Sequence, residues 1–336
     1  MKDTLGPEGR EALSAWYATE GRELPWRLTR DPYAIWVSEI MCQQTQVAKV
    51  IPFWRTWMLR FPTVEACAQA SEHDALALWQ GLGYYRRCKQ LLQGAQFVAT
   101  HGWPKSAAEW LTVPGVGRYT AAAISSICLG ERVAVVDGNV KRIFARLAAC
   151  ELSGTDLEAA CWEWAQGQIE GAPITPGDWN QATMELGATH CSPRSPSCGT
   201  CPVEKWCLGR AQGIERELPV SGPKQELTEL FHAVHVPLRD GLYGIRPIPP
   251  GNWWQGMWSF PGEIGEAPTE LEGEWLGSVK YRVTRYAITM SAWLGGEEVD
   301  DLTWVPAEDL PLYPMPSPQR KVLELVLERH AQPRLL

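Results

Sequence analysis

Glu39 is the lone ionisable side chain in Ile35-Trp36-Val37-Ser38-Glu39-Ile40-Met41, an otherwise largely apolar run. On this pattern it either faces solvent or is partly buried. Partial burial disfavours the charged form and raises a carboxyl's pKa, which suits a general acid working near neutrality. A second carboxylate, Asp137, follows the apolar run 133–136 and precedes Gly138-Asn139. It reads as the N-cap of a helix over 140–149, where backbone N–H groups and the helix dipole favour an anion. Such an anion could also stabilise a cation developing beside it. Four thiols form the third set: Cys191, Cys198, Cys201 and Cys207, spaced C-x6-C-x2-C-x5-C. They could bind zinc, although zinc ribbons usually show two short CxxC knuckles and this segment has one. An iron–sulfur cluster is the other reading.

The segment that must position the carboxylates runs from 111 to 142. Pro114-Gly115-Val116-Gly117 is too glycine-rich and proline-broken for a helix interior, and it reads as a tight hairpin between helices. Ser106 with Glu109 has the form of a capping box for a short helix through Trp110. Residues 118–129 are apolar and alanine-rich, with Gly130 placed to stop a helix there. Gly115 and Gly117 carry no Cβ, so a phosphate could approach the free N–H groups at the start of that second helix.

Further helices are expected over 11–19, within 31–60, from Ser71 to Gln80, from Gly81 to about Thr100, over 157–169 and over 179–187. Arg22-Glu23-Leu24-Pro25-Trp26-Arg27 is an extended, proline-broken segment: a surface loop anchored by Trp26, or the wall of a pocket flanked by cations. Arg86, Arg87 and Lys89 after Gly81-Leu82-Gly83-Tyr84-Tyr85 are phosphate contacts or a solvated face.

At 336 residues the chain has room for two or three domains with real cores. No apolar run reaches membrane-spanning length, and the N-terminus shows no secretion signal, so a cytoplasmic protein is expected. The net charge of −8 argues at first against nucleic acid. Residues 229–336, however, carry 15 acidic and 9 basic side chains, whereas 1–228 carry 24 and 22. The excess acid lies mostly in the C-terminal third. Of the ten cysteines, Cys42, Cys67, Cys88, Cys128, Cys150 and Cys161 are scattered in helical patterns and read as small buried residues.

Residues 211–228 are polar, with Pro219 and Pro223, and read as a linker. Beyond it the pattern changes to strands. Residues 231–238 alternate, Arg239-Asp240-Gly241-Leu242 signals a hairpin, and 242–246 is its partner strand. Residues 253–262 (WWQGMWSFPG) and 281–293 read as further strands, and 317–330 as a closing helix.

The hairpin followed by Asp137 resembles the helix-hairpin-helix and Gly/Pro…Asp motif of the endonuclease III superfamily of DNA glycosylases, whose cysteine spacing also matches. The segment SEIMCQQTQV at 38–47 is similar to the catalytic segment of MutY-type adenine DNA glycosylases, with Cys42 in place of the usual leucine. The resemblance implies a multidomain chain: an all-α helix-hairpin-helix glycosylase core with a [4Fe–4S] cluster loop, plus an α+β Nudix-like C-terminal domain. The implied boundaries are 1–29 with 131–215 for the cluster domain and 30–130 for the hairpin domain. A linker at 216–228 and the Nudix-like domain at 229–336 complete the division. The implied activity is release of adenine mispaired with 8-oxoguanine or guanine in double-stranded DNA, after the base is flipped from the helix.

By position in the family motifs, Glu39 is the general acid, and Asp137 stabilises an oxocarbenium-like sugar or attacks it. Tyr119 and Asn139 are hydrogen-bonding supports, and Trp26 and Gln181 line the base pocket. Arg22 and Arg27 contact phosphate, as do Gly115 and Gly117. Gln43 and Gln44 contact DNA, Gln44 as a polar plug, and Tyr84 wedges into the base stack. Cys191, Cys198, Cys201 and Cys207 hold the [4Fe–4S] cluster. A monomer is expected, nucleoid-associated if bacterial.

The chain departs from the family in three places. Tyr119 stands where bifunctional members carry a Schiff-base lysine, so a lyase step is not expected. No Arg occurs between Gly262 and Tyr281, so the magnesium-holding helix of hydrolysing Nudix enzymes is missing. Where the family reads 8-oxoguanine with Phe-Ser-His, the best local match is Val283-Thr284-Arg285, keeping a hydroxyl but losing the aromatic ring. Thr284 and Arg285 are the expected lesion readers. The alternatives are an endonuclease III-like enzyme for oxidised pyrimidines, which predicts a lysine at Tyr119, and a non-catalytic iron–sulfur DNA-binding protein. The cysteine spacing predicts a brown protein whose iron and acid-labile sulfide stand at about four each per chain. Stoichiometric zinc without sulfide in an elemental assay would instead select the zinc reading.

Overall fold

In a computed structural model, described here for residues 4–220, 222, 226–295 and 300–331, contacts divide the chain into two units. Met1–Gln69 with Gln90–Lys224 make the first, and Ala70–Lys89 with Gln225–Leu336 the second. The sequence-level boundaries put 70–89 inside the hairpin domain, whereas its contacts lie with the C-terminal unit. Of the expected linker, residues 221 and 223–225, Pro223 among them, lie outside the described residues.

The helices, in chain order, begin with α1 (Gly6–Glu20), α2 (Pro32–Cys42), α3 (Val47–Arg60), α4 (Val64–Ala68), α5 (Glu72–Trp79) and α6 (Arg86–His101). Then come α7 (Ala107–Trp110), α8 (Arg118–Ile124), α9 (Gly138–Leu147), α10 (Gly154–Glu170), α11 (Pro176–Thr189) and α12 (Leu208–Ala211). α13 (Ser317–Ala331) closes the second unit.

Local chemistry explains where the site-bearing helices start. Asp31 accepts from the Tyr33 N–H at 3.0 Å, with Pro32 in the first turn of α2. Ser106 accepts from the Glu109 N–H at 3.2 Å, as the capping pattern predicts. Glu109, however, reaches back one residue further, to the Lys105 N–H at 2.8 Å. In the hairpin, Val116 N–H donates to Val113 O at 3.1 Å, and Gly115 sits at φ +79°. A Cβ there would lie 2.5 Å from that of Gln90, so conformation and space both require glycine.

The expected single helix over 118–129 changes character partway. α8 gives way to a π-helical turn, Ser125–Leu129, before Gly130 ends it at φ +70°. That wide turn lies against α11, where a Cβ on Gly177 would sit 2.7 Å from Ile127 Cα. Close packing against a neighbouring helix is what the local pattern could not show.

One core of the first unit gathers Leu13, Ile143, Phe144, Leu147, Trp164 and Trp179, all buried. A second region is built on Trp36, whose ring meets Trp110 edge-on at 5.4 Å. This contact sets α2 against α7, and hence against the hairpin.

The second unit is α+β. Its strands are β1 (Thr228–Val236), β2 (Leu238–Arg239), β3 (Leu242–Pro247), β4 (Trp258–Ser259), β5 (Gly262–Gly265), β6 (Glu274–Val283), β7 (Tyr286–Leu294) and β8 (Thr303–Pro306). One sheet has the order β5-β1-β7-β6; the other runs β2-β3-β4, with β8 also on β3. Two sequence expectations need correction. The strand from 231 does not continue into the hairpin: it breaks at Pro237, which has no N–H to extend the ladder, and β2 rather than β1 is the strand paired with β3 across the hairpin. Residues 253–257 form turns rather than strand, because Trp254 and Gly256 both adopt positive φ. Buried Val322, Leu323 and Val326 of α13 share a core with Val234, Val279 and Met290 of the first sheet.

Gly94 of α6 reports on the packing under α2. A Cβ there would meet Trp36 Cζ2 at 2.6 Å and the Pro114 carbonyl at 2.9 Å. Gly94→Ala is expected to lower stability by about 1–3 kcal/mol, read as a reduced thermal midpoint by circular dichroism.

Candidate active site

α2 is buried nearly all round: from Tyr33 to Met41 every side chain is buried except Glu39, which is half-buried. Glu39 opens onto a cleft of about 910 Å³ in the first unit, also lined by Trp26, Gln44, Tyr119, Asp137 and Asn139. Burial pushes the Glu39 carboxyl up to about 7, and the nearby charge of Asp137 adds to the rise. The hydroxyl of Tyr119, donating to Glu39 Oε2 at 2.7 Å, and the charge of Arg27 act in the other direction. Burial also raises the Tyr119 phenol well above its ordinary range, with the Glu39 charge next, so this hydroxyl keeps its proton. Its oxygen lies 3.1 Å from Met184 Sδ as well.

Asp137 caps α9 as the sequence predicts. Its Oδ1 accepts from the Val140 N–H at 2.8 Å, and its Oδ2 from Asn139 Nδ2 at 2.8 Å. Asn139 is itself held, because Arg142 donates to its Oδ1 at 2.8 Å. Arg142 also donates to the Gly187 carbonyl at 2.8 Å and the Cys191 carbonyl at 2.6 Å. One turn later, Arg146 donates to Ser192 O at 2.8 Å, Pro193 O at 3.0 Å and Cys191 Sγ at 3.2 Å. A Cβ on Gly187 would stand 2.5 Å from that of Asn139, so α11 can pass this close only with glycine there.

The wall around Trp26 carries an ion pair that the sequence pattern did not show. Arg22 and Arg27, expected on phosphate, both pair with Glu185, whose side chain is fully buried. Arg22 Nη2 lies 2.9 Å and Arg27 Nη2 2.8 Å from Glu185 Oε2. Burial alone would raise the Glu185 carboxyl, but the hydrogen bonds and charges of the two arginines outweigh it and hold it below the ordinary value. Glu185 and Met184 were missed at the sequence level. The available signal was Glu185 itself, a lone acid in an apolar part of α11. Trp26 is 6% exposed and meets Trp54 edge-on at 5.9 Å. Gln181 is buried on α11 and is not among the residues lining this cleft, which α11 instead meets at Met184, Glu185 and Ala188.

Gln43 lines the cleft and donates to Thr120 at 3.3 Å, while Gln44 takes the left-handed conformation at φ +53°. Gly115 and Gly117 line a second cleft, of about 670 Å³, which also includes Gln43, Tyr119 and Val136. Tyr84, Arg87, Lys89, Thr284 and Arg285 belong to the second unit. Tyr84 is 55% exposed at φ +50°, with the Arg87 guanidinium 5.1 Å from its ring centre. Arg87 is buried and donates to Gly83 O at 3.2 Å, so it braces the turn rather than a phosphate. Lys89 pairs with Glu72 at 2.6 Å. Thr284 and Arg285 form the exposed turn between β6 and β7.

Cys191, Cys198, Cys201 and Cys207 all line one small cavity of about 30 Å³. Among the described residues no His, Cys, Asp or Glu are grouped tightly enough to surround a single metal ion. The four thiols line this cavity and a guanidinium donates to one of them, a donor set whose chemistry fits a group bound through thiolates.

Comparison with known proteins bears on both units. Residues 37–166 match the family described as HhH-GPD superfamily base excision DNA repair protein, and residues 233–325 match the NUDIX domain. A curated protein of Schizosaccharomyces pombe named adenine DNA glycosylase is 38% identical, over 80% of this chain and 73% of its own length. The human protein of the same name is 38% identical over 96% of this chain, but the match spans only 61% of that longer protein. A solved structure of a thermostable thymine-DNA glycosylase aligns with a TM-score of 0.54 at 27% identity, covering 60% of this chain and 95% of its own. No helix among the described residues is long and apolar enough to cross a membrane.

The raised carboxyl has a stability cost that can be measured. A folded-state value of about 7 against an ordinary 4.5 means that ionising Glu39 works against folding. The penalty is absent below the unfolded value, grows as pH rises between the two, and is complete above about 7. Glu39→Gln should therefore stabilise the protein at pH 8 by up to about 3 kcal/mol and far less at pH 4.5, read by denaturant unfolding. An equal effect at both pH values would contradict the burial of this carboxyl.

Proposed function

The chain belongs to the adenine DNA glycosylases, and on that premise we propose that it hydrolyses the N-glycosidic bond of adenine mispaired with 8-oxoguanine or guanine. The observation that carries this reading is the pairing, in one cleft, of a carboxyl raised to about 7 with a second carboxylate capping a helix. These are the two parts that cleavage of a purine glycoside needs.

Adenine leaves poorly as an anion. Tyr119 donates to one oxygen of Glu39, which leaves the other to carry a proton toward the cleft. Proton transfer to the purine ring lets the C1′–N9 bond break with its electron pair on the base. The sugar then develops oxocarbenium character beside the Asp137 carboxylate. That carboxylate either stabilises the cation as an ion pair or bonds to C1′ in a retaining path, which water later opens. In either case water adds at C1′ and gives its proton to the Glu39 carboxylate, which restores the acid. Asn139, fixed by Arg142, holds Asp137 in place. Tyr119 supplies no amine, so the reaction ends at base release.

The four cysteines would hold a [4Fe–4S] cluster, which supplies a rigid, negatively charged crosslink to the loop and no step of the chemistry. Arg142 and Arg146 transmit that fixed loop to α9, and so to Asp137. On the strand opposite the adenine, the Thr284 hydroxyl is proposed to read the lesion.

The test is alkali-developed strand release from duplexes carrying A opposite 8-oxoguanine, G, C or T. Release is expected from the first two, and Asp137→Asn should slow it by at least about 10²–10³-fold. The rate should fall as pH rises through about 7, where Glu39 loses its proton. Tyr119→Phe removes a hydrogen bond that favours the carboxylate, so it should move that limb to higher pH. Borohydride should trap no covalent adduct. A wild-type protein that spares both purine mispairs would overturn the reading.

A further inference from the structure

The WWQGMWSFPG segment has no role in the reading above, yet it packs against the strands that carry the lesion-reading turn. Val283 pairs with Tyr286 and Tyr281 with Ile288 across the β6–β7 hairpin, so Tyr281, Val283 and Tyr286 share one face. Trp253 lies 5.4 Å from the Tyr286 ring, and Trp254 lies 5.8 Å from Tyr281. All four rings are only half-buried. Trp253 and Trp254 also line a cavity of about 540 Å³ with Arg246 and His232, large enough for a purine.

The loop is tied firmly. Gly256 N–H donates to Ile248 O at 2.9 Å, Met257 N–H to Trp254 O at 3.0 Å, and Gly251 N–H to Gln255 Oε1 at 3.1 Å. Trp254 is nonetheless held at φ +62°, a conformation that costs a bulky side chain energy and places its indole on the hairpin. Charge says what the patch faces. In a C-terminal third rich in acid, Arg285 sits in the turn beside the aromatic face and Arg246 lines the tryptophan cavity, together with Glu263, whereas Lys280 and Arg282 alternate onto the opposite face of β6. Arg285 itself lies over Tyr286, 5.2 Å from the ring centre, and donates to its hydroxyl at 3.1 Å. Its reach is therefore partly spent on the cluster. An aromatic face with an arginine at its edge is suited to stacking a nucleobase while the guanidinium meets the adjoining phosphate.

We propose that Trp253, Trp254 and Tyr286 form a stacking platform for the purine opposite the target adenine, supplying the aromatic surface that Val283 lacks. This rests on the mispair-glycosylase reading. Recognition of that base is then divided: the platform holds its face, and Thr284 reads its edge.

Binding to duplexes with 2′-fluoro-deoxyadenosine as the target tests this, because the electron-withdrawing fluorine suppresses the oxocarbenium and keeps the duplex intact. One duplex has 8-oxoguanine opposite the adenosine; the other has an abasic residue, which offers nothing to stack. Trp253→Leu should weaken binding to the first about tenfold and leave the second unchanged, and Trp253→Phe should restore it. An equal loss on both duplexes, or on neither, overturns the platform. If Trp253→Leu fails to fold, 2-aminopurine opposite the adenine tests the wild-type protein directly: its emission should be quenched on binding, and unquenched emission overturns the proposal. Adenine release from the unmodified duplex is scored separately, so a failure of the glycosylase reading is distinguishable from a failure of the platform.

Discussion

The hydrogen bond from Tyr119 to Glu39 works against the burial that surrounds it, and the balance between the two decides what the cleft can do. With burial alone the carboxyl would hold its proton too tightly to give it up; with the hydrogen bond alone it would be an ordinary carboxylate. A value of about 7 needs both. Each side of the balance has a structural source. Burial comes from α2, which shows solvent almost nothing but Glu39. The hydroxyl comes from the hairpin, whose distance from α2 is set by the Trp36–Trp110 contact and by the absence of a side chain at Gly94.

The second carboxylate is held through a different network. Asp137, Asn139, Arg142 and Arg146 lie within about three turns at the start of α9, and each is fixed by the next group along. The cap bonds orient Asp137, Arg142 orients Asn139, and carbonyls of the cysteine loop orient both arginines. Glu185 plays the corresponding part on the other wall. By pairing with Arg22 and Arg27 it lets two cations flank Trp26 without leaving an unmatched charge in the pocket.

The helices and their caps were legible because they rest on local chemistry: Ser106, Asp137 and Gly130 act within one turn of themselves. Asp137 was marked by its place before a helix and the four cysteines by their spacing, whereas Glu39, open on its own pattern between solvent and partial burial, was singled out by the resemblance of its segment. What the sequence could not show is set by partners far along the chain. Nothing near Arg22 and Arg27 shows that Glu185, more than 150 residues later, is placed against them. Arg87 looks like a surface cation until its turn folds over it. The strand at 231–236 seemed to belong to the next hairpin, yet its partners are β5 and β7, and such distant pairing leaves no mark at short range. The shift of α8 into a π turn has the same origin, in the close approach of α11.

The arginines of α9 also impose an order on how the chain matures. Arg142 and Arg146 are buried; Arg142 finds Gly138 and Asn139 on its own helix, but its other acceptors and those of the Arg146 guanidinium lie at 187–193 and at Leu218. On a ribosome, α9 emerges well before those acceptors do. Until they arrive, packing α9 would bury Arg146 without its acceptors and Arg142 with only part of its own, a cost that opposes settling of the helix. The nascent chain therefore has every residue of its reaction centre before it has a reaction centre. Assembly waits for the cysteine loop, so a truncated or stalled product that ends short of it carries both carboxylates but cannot place Asp137.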